Sequence, residues 1–169
     1  ATSIGLLLNN RPILGAIYIP FFNEIYVGIP FKGSFCNNQK IQVSNCLNIK
    51  DSLLVTGFAY DRHTQIDNNY AEFCHMTHLS RGVRRAGAAA VDLCFVACGR
   101  VDAYWERGLA KWDLAAGIPI VELAGGSVLD YKKNYFNIDE GRVVATSPSI
   151  EKELIKRLNE VKPLDPINY

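Results

Sequence analysis

Apolar and polar positions follow two different rhythms along this chain. Residues 2–57 have the short period of strands joined by tight turns. The runs "SIGLLL" and "ILGAIYIP" flank Asn9-Asn10, a pair that tolerates positive φ and suits a hairpin. In "NEIYVGI" the residues alternate, with Ile25 and Val27 on one side and Glu24 and Tyr26 on the other. "GSFCNNQKIQVS" carries a second hairpin signal at Asn37-Asn38, and "SLLVTG" is a continuous apolar run that fits a buried strand.

After residue 57 the period lengthens. "NNYAEFCHMTHLS" has roughly helical spacing. "AGAAAVDLCFVACG" is clearer: Val91, Cys94, Phe95 and Cys98 fall at i, i+3, i+4 and i+7, and Gly99 stands where a helix-closing glycine belongs. "VDAYWE" predicts a strand. "WDLAAGIPIVELAGG" predicts a helix from Asp113 to about Leu123, stopped by Gly125-Gly126. Pro119 lacks a donor and crowds the carbonyl of Ala115, so a kink or widened turn is expected inside it. "SVLDY" and "RVVATS" predict two more strands, and "SPSIEKELIKRLNE" a terminal helix with Ser147 or Ser149 as cap and Pro148 in its first turn. Strands first, then alternating helix and strand, predict an α/β fold of helices layered on sheets, with parallel pairing in the second half. The expected division is a strand-rich region over 1–57 and an α/β region over 58–169.

Composition narrows the class. The 169 residues are 49% hydrophobic and 21% charged, which fits a globular chain rather than a disordered one. A net charge of +1 supplies no bulk field for nucleic acid or an anionic membrane. No apolar run is long enough to span a bilayer. The five cysteines are odd in number and no secretory signal is present, so they are expected to be reduced thiols in the cytoplasm, most of them small core fillers. The chain starts at Ala1 already inside a strand-like run, and its only methionine is Met76. The expectation is therefore that it lacks an N-terminal part.

Both tryptophans sit beside carboxylates, Trp105 before Glu106 and Trp112 before Asp113. Glu106 ends a predicted strand and Asp113 begins a predicted helix. An aspartate there ordinarily caps the helix, and a strand-end glutamate is ordinarily solvated. A strand-to-helix connection also delivers functional groups to the edge of a sheet, where a carboxylate can hold Mg²⁺ or accept a hydroxyl hydrogen bond. Gly87, Ala88 and Ala89 open a helix with almost no side chain, which suits either close packing or approach of a ligand to backbone N–H groups. Arg84 and Arg85 could meet a phosphate, although paired arginines more often form a solvated edge. Cys74, His75 and His78 suggest zinc, but neighbouring side chains on a helix diverge and no second cysteine pair stands at ligand spacing.

Taken together, "GVRRAGAAAVDLCFVACGRVDAYWERGLAKWDLAAGIPIVELAGG" resembles the C-terminal signature of the inositol monophosphatase family. The family's W-D-x-A-A-G … A-G-G pattern is met by Trp112, Asp113, Ala115, Ala116, Gly117, Ala124, Gly125 and Gly126, and its D-A-Y-x-E lead-in by Asp102, Ala103, Tyr104 and Glu106. The resemblance implies the layered fold of that family and of sugar phosphatases, a Mg²⁺-dependent phosphomonoesterase, and a homodimer. It implies that Asp113 holds metal and touches substrate, that Glu106 accepts a hydrogen bond from a substrate hydroxyl, and that the backbone of Ala89, with Gly87 and Ala88 beside it, meets the substrate ring. The expected partner is a small phosphomonoester, with no nucleic acid and no membrane. The tryptophans are expected to be packing groups.

The chain departs from the pattern at Ala88, where Ser or Thr is usual, and at Leu123, where glutamate is common. The family's other metal ligands, a glutamate pair and the D-P-x-D-G-T segment, do not occur in this sequence. Two alternatives stand beside the main reading. One is a superfamily phosphatase for histidinol phosphate, a sugar bisphosphate or a phosphonucleotide. The other is a non-catalytic domain that keeps the fold.

Overall fold

The structure, a computed structural model, describes residues 1–132 and 135–165; the end of the 58–169 region, residues 166–169, lies outside them. The first five strands form an antiparallel meander: β1 (Thr2–Leu8), β2 (Arg11–Ile19), β3 (Glu24–Ile29), β4 (Gly33–Cys36) and β5 (Gln39–Lys40). Both Asn pairs turn hairpins as the sequence predicts. Asn9 and Asn10 have φ of 49° and 64°, and Asn37 and Asn38 have 47° and 66°, the left-handed pair that a two-residue turn between twisted strands requires.

The rest of the chain runs α1 (Tyr70–Leu79), α2 (Ala89–Ala97), α3 (Lys111–Leu114), α4 (Gly117–Leu123) and α5 (Glu151–Asn159) around a second sheet. That sheet contains β6 (Leu53–Thr56), β7 (Gly82–Arg84), β8 (Ala103–Glu106), β9 (Ser127–Leu129) and β10 (Val143–Thr146), in the order β7-β6-β8-β10-β9. β6 is parallel to both β7 and β8, while β10 is antiparallel to β8 and β9, so the expected parallel pairing covers only part of the sheet.

Two apolar clusters set the layers. On one face of the second sheet, Val55, Tyr104, Val143 and Ala145 pack with α2, α4 and the inner residues Ile17, Ile19 and Tyr26 of the first sheet. On the other face, Leu54, Ala103, Trp105 and Val144 pack with Met76 of α1 and Leu154 and Leu158 of α5. Strands buried on both faces read as continuous apolar runs, which is why "SLLVTG" shows no alternation. The layers are sheet, helices, sheet, helices. Among the described residues no helix is long and apolar enough to cross a membrane.

A row of glycines fixes how closely the middle layer meets the first sheet. Gly5, Gly15 and Gly28 are cross-strand neighbours on β1, β2 and β3. A Cβ on Gly15 would lie 2.0 Å from the Ala116 carbonyl oxygen, and one on Gly5 2.5 Å from the Ala115 carbonyl carbon. The small residues of "LAAG" therefore sit in a groove floored by bare backbone.

The expected single helix from Asp113 to Leu123 is two short ones. It begins earlier, at Lys111, and breaks between Leu114 and Gly117, where Pro119 has no N–H to offer the Ala115 carbonyl. Neither Ser147 nor Ser149 caps the last helix: α5 starts at Glu151 after Ile150, and the segment around Pro148 forms a turn in which Ile150 N–H donates to the Ser147 carbonyl. All five cysteines are free, but only Cys94 is fully buried; Cys36, Cys46 and Cys98 are partly exposed and Cys74 is on the surface.

Candidate active site

β6 and β8 run side by side and end at the same edge, Thr56 opposite Trp105. The segments that leave these two strands lie together. A cleft of about 190 Å³ is lined by Gly57, Tyr60 and Arg62 after β6, by Glu106 and Gly108 at the end of β8, by Arg85, Gly87, Ala88 and Ala89 ahead of and opening α2, and by Asp113 on α3. Glu106, Asp113, Gly87, Ala88 and Ala89 thus converge, as the sequence reading expects. The loop after β6 is a lining segment that was not expected. Its signal was there, since the end of one parallel strand beside another is where open α/β sheets place ligands. Arg85 lines this cleft and is exposed; Arg84 is exposed and donates to the Val83 carbonyl.

Glu106 is half-buried and receives a 2.6 Å hydrogen bond from the hydroxyl of buried Tyr104. Burial pushes its carboxyl above the ordinary range. The Tyr104 hydrogen bond and the Arg85 charge pull it back, and the Asp113 charge adds to the rise. Behind it lies Asp92, in the first turn of α2 and 1% exposed, with neither carboxylate oxygen hydrogen-bonded. Burial, with the Glu106 charge added and Arg85 opposing, pushes Asp92 up to about 7.

Asp113 is the third residue of α3. Its Oδ2 accepts the Ala110 N–H at 2.9 Å, so it does fasten the helix start, and its other oxygen has no protein partner among the described residues. That free, partly exposed carboxylate oxygen suits a hard cation. Among the described residues no three His, Cys, Asp or Glu side chains gather to hold a metal. Asp113 therefore fits a metal site as one donor, not as the whole of it.

The two tryptophans part company. Trp105 is fully buried and donates from Nε1 to Asn69 Oδ1 at 2.6 Å, a packing role as expected. Trp112 is 77% exposed, and the packing expected of it is absent because α3 turns it outward. The frame around the cleft is ionic. Arg107 makes two hydrogen bonds to Asp61, at 2.9 and 3.3 Å, and Arg142 binds Asp67 at 2.5 Å, tying the loop after β6 to the segment after β8 and to the start of β10. Leu109 N–H donates to the Gly141 carbonyl, and Lys111 pairs with Asp139.

A profile of the inositol monophosphatase family matches residues 1–162. The chain belongs to that family. Within it, the chain is 51% identical over 156 residues to an inositol-1-monophosphatase of Synechocystis sp., covering 92% of this chain and 54% of that protein. It is 34% identical over 163 residues to the Nus factor SuhB of Pasteurella multocida, covering 96% and 60%. Among solved structures, the inositol monophosphatase from Anabaena superposes with a TM-score of 0.93 at 52% identity, over 96% of this chain and 64% of that one. The mixed α/β architecture of the family is thus present. The chain spans little more than half the length of its Synechocystis relative. The family is generally metal-dependent.

Proposed function

We propose that the complete gene product hydrolyses the phosphomonoester of a polyol such as inositol monophosphate, with Mg²⁺ as cofactor. The observation that carries this reading is the convergence of Glu106, Asp113 and the open N-terminus of α2 on one cleft. The relatives named as inositol monophosphatases point the same way, while one named as a Nus factor means that family membership alone does not carry the chemistry.

In this reading each group has a separate task. The Glu106 carboxylate, with one oxygen held by Tyr104, accepts a hydrogen bond from a ring hydroxyl. Gly87, Ala88 and Ala89 leave room for the ring to approach backbone. Asp113 contributes one oxygen donor to the cation and orients the substrate beside it. Bound Mg²⁺ would supply neutralisation of phosphate charge and a water of lowered pKa. Arg85 and Arg62 make the mouth of the cleft attractive to an anion. Assembly as a homodimer and residence in the cytoplasm belong to the same proposal.

The test is Mg²⁺-dependent phosphate release from inositol 1-phosphate, with and without chelator, by the complete protein and two variants. Asp113→Asn removes a charge that holds metal and should abolish nearly all turnover. Glu106→Gln removes part of one contact and should cost on the order of ten- to hundredfold in kcat/KM. Equal losses of kcat would contradict the assigned roles, and no release by the parent would end the reading.

A further inference from the structure

The Glu106 carboxylate lies flat against the backbone of Gly57. A Cβ built there would stand 2.0 Å from Oε2, 2.2 Å from Cδ and 2.3 Å from Oε1. No real Cβ tolerates such contacts, so one of the two would have to move. The backbone is not the one. Gly57 carbonyl accepts from Asn69 Nδ2 at 2.7 Å, and the same amide donates to Thr56 Oγ1 at 2.8 Å. Thr56 Oγ1 in turn donates to the Trp105 carbonyl at 2.5 Å, and the Trp105 indole donates to Asn69 Oδ1. Thr56, Asn69 and Trp105 are all buried. This closed network ties the end of β6 to the end of β8, and any shift of Gly57 would break it.

The carboxylate, by contrast, is the far end of a side chain. It is held by the Tyr104 hydroxyl rather than by that backbone network, so its present seat against Gly57 is one it would leave if a methyl group arrived. Gly57 does not have a positive φ, so alanine there brings no backbone strain. The glycine is explained by space alone.

We propose that Gly57 is a positioning residue: the missing side chain at the end of β6 seats the Glu106 carboxylate, and thereby sets preference for hydroxyl-bearing phosphomonoesters over those without hydroxyls. This rests on the reading that Glu106 accepts a substrate hydroxyl. The buried indole of Trp105 serves the same end from behind, by holding the amide that holds Gly57.

The experiment uses the complete gene product as parent, Gly57→Ala, Glu106→Ala and the double variant. Each is assayed on inositol 1-phosphate and on p-nitrophenyl phosphate, which has no hydroxyl to offer, and each is melted thermally. Gly57→Ala should lose about ten- to hundredfold in kcat/KM on the inositol ester, at least about tenfold more than on the aryl ester. Added to Glu106→Ala it should cost nothing further, because the group it displaces is gone. The melts should show the same coupling, with Gly57→Ala lowering Tm in the presence of Glu106 and not in its absence. Equal loss on both esters would overturn the selectivity role. Additive effects in both kinetics and melting would overturn the contact itself. If the parent hydrolyses neither ester, the proposed function fails and the melting cycle still decides whether Gly57 seats Glu106.

Discussion

Asp92 is costly on physical grounds. A carboxylate in the first turn of a helix normally gains from the dipole, but this one is buried with no hydrogen bond on either oxygen. The groups that face it are Tyr104 and Glu106 on β8 and Arg85 ahead of α2. Its folded value of about 7 lies above its ordinary 3.8, so the folded state holds a proton that the unfolded state has lost. Between those values the unfolded chain binds fewer protons, and stability must fall as pH rises. The penalty is absent below the unfolded value and complete above the folded one, on the order of a few kcal/mol. Asp92→Asn keeps the shape and removes the titration. Its Tm relative to the parent should therefore rise between about pH 4 and about pH 8, and thermal melts across that range measure it. An offset that does not change with pH would mean that Asp92 is charged or neutral throughout. The residue could not have been picked out from sequence. Helical spacing marked Val91, Cys94, Phe95 and Cys98 as the inner face, whereas the fully buried positions include Asp92, Leu93, Val96 and Ala97. A helix sandwiched between two sheets is buried on most sides, and one stripe cannot describe it.

At the scale of elements, most strands and turns were legible because their signals are local, while the short β7, Gly82–Arg84, was not expected. Asn-Asn pairs make hairpins by their own backbone preference, and Gly99, with φ of 71°, closes α2 as its position predicts. Glu106 and Asp113 stand at element ends, which equally fits a solvated strand end and a helix cap; the family resemblance singled them out. What stayed hidden depends on neighbours distant in sequence: the turn before α5 that displaced the expected serine cap, the loop after β6, and the glycines of the first sheet. Gly5, Gly15 and Gly28 look like weak points in strands when read alone. They gain a reason only once Ala115 and Ala116 are laid across Gly5 and Gly15, and Pro119 and Ile120 of α4 across Gly28. That contact gives a prediction. Gly15→Ala puts a methyl 2.0 Å from a backbone oxygen, where no flexible side chain can yield, so the α3–α4 segment must lift from the sheet. The expected cost is about 1–3 kcal/mol or more, typical of overpacking, measured by urea unfolding. Because Asp113 rides on that segment, metal affinity should fall with it. Gly125→Ala, with nothing within 4 Å of the added methyl, provides the contrast: its cost comes from the positive φ of 87° alone and should leave metal affinity unchanged. Equal effects of both variants on metal affinity would refute the groove argument.

Across the whole molecule, layering explains both the site and a liability. Two parallel strands end at one edge, the long loop after β6 lines it, α2 begins at it, and α3 closes it, so separate segments meet at one cleft. The same layering leaves the first sheet covered on its inner face only. On its outer face Ile4, Leu6 and Leu8 are 66%, 54% and 60% exposed, Tyr18 and Ile25 lie beside them, and β1 is an edge strand. Such a face is larger than the scattered apolar residues that soluble surfaces tolerate. Residues 1–169 expressed alone should therefore self-associate and bind an environment-sensitive apolar dye. They should also release no phosphate from inositol 1-phosphate and bind Mg²⁺ weakly, because Asp113 offers one carboxylate where the ion needs several oxygen ligands held in near-octahedral geometry. Light scattering, dye fluorescence and a phosphate-release assay run beside the complete gene product test these together. Ile4→Lys with Leu6→Lys should reduce association and dye binding without restoring turnover, since charge on the outer face cures the edge and supplies no ligand. A monomeric, dye-silent chain with turnover near that of the complete protein would show that the outer face needs no cover and that Asp113 suffices for the metal.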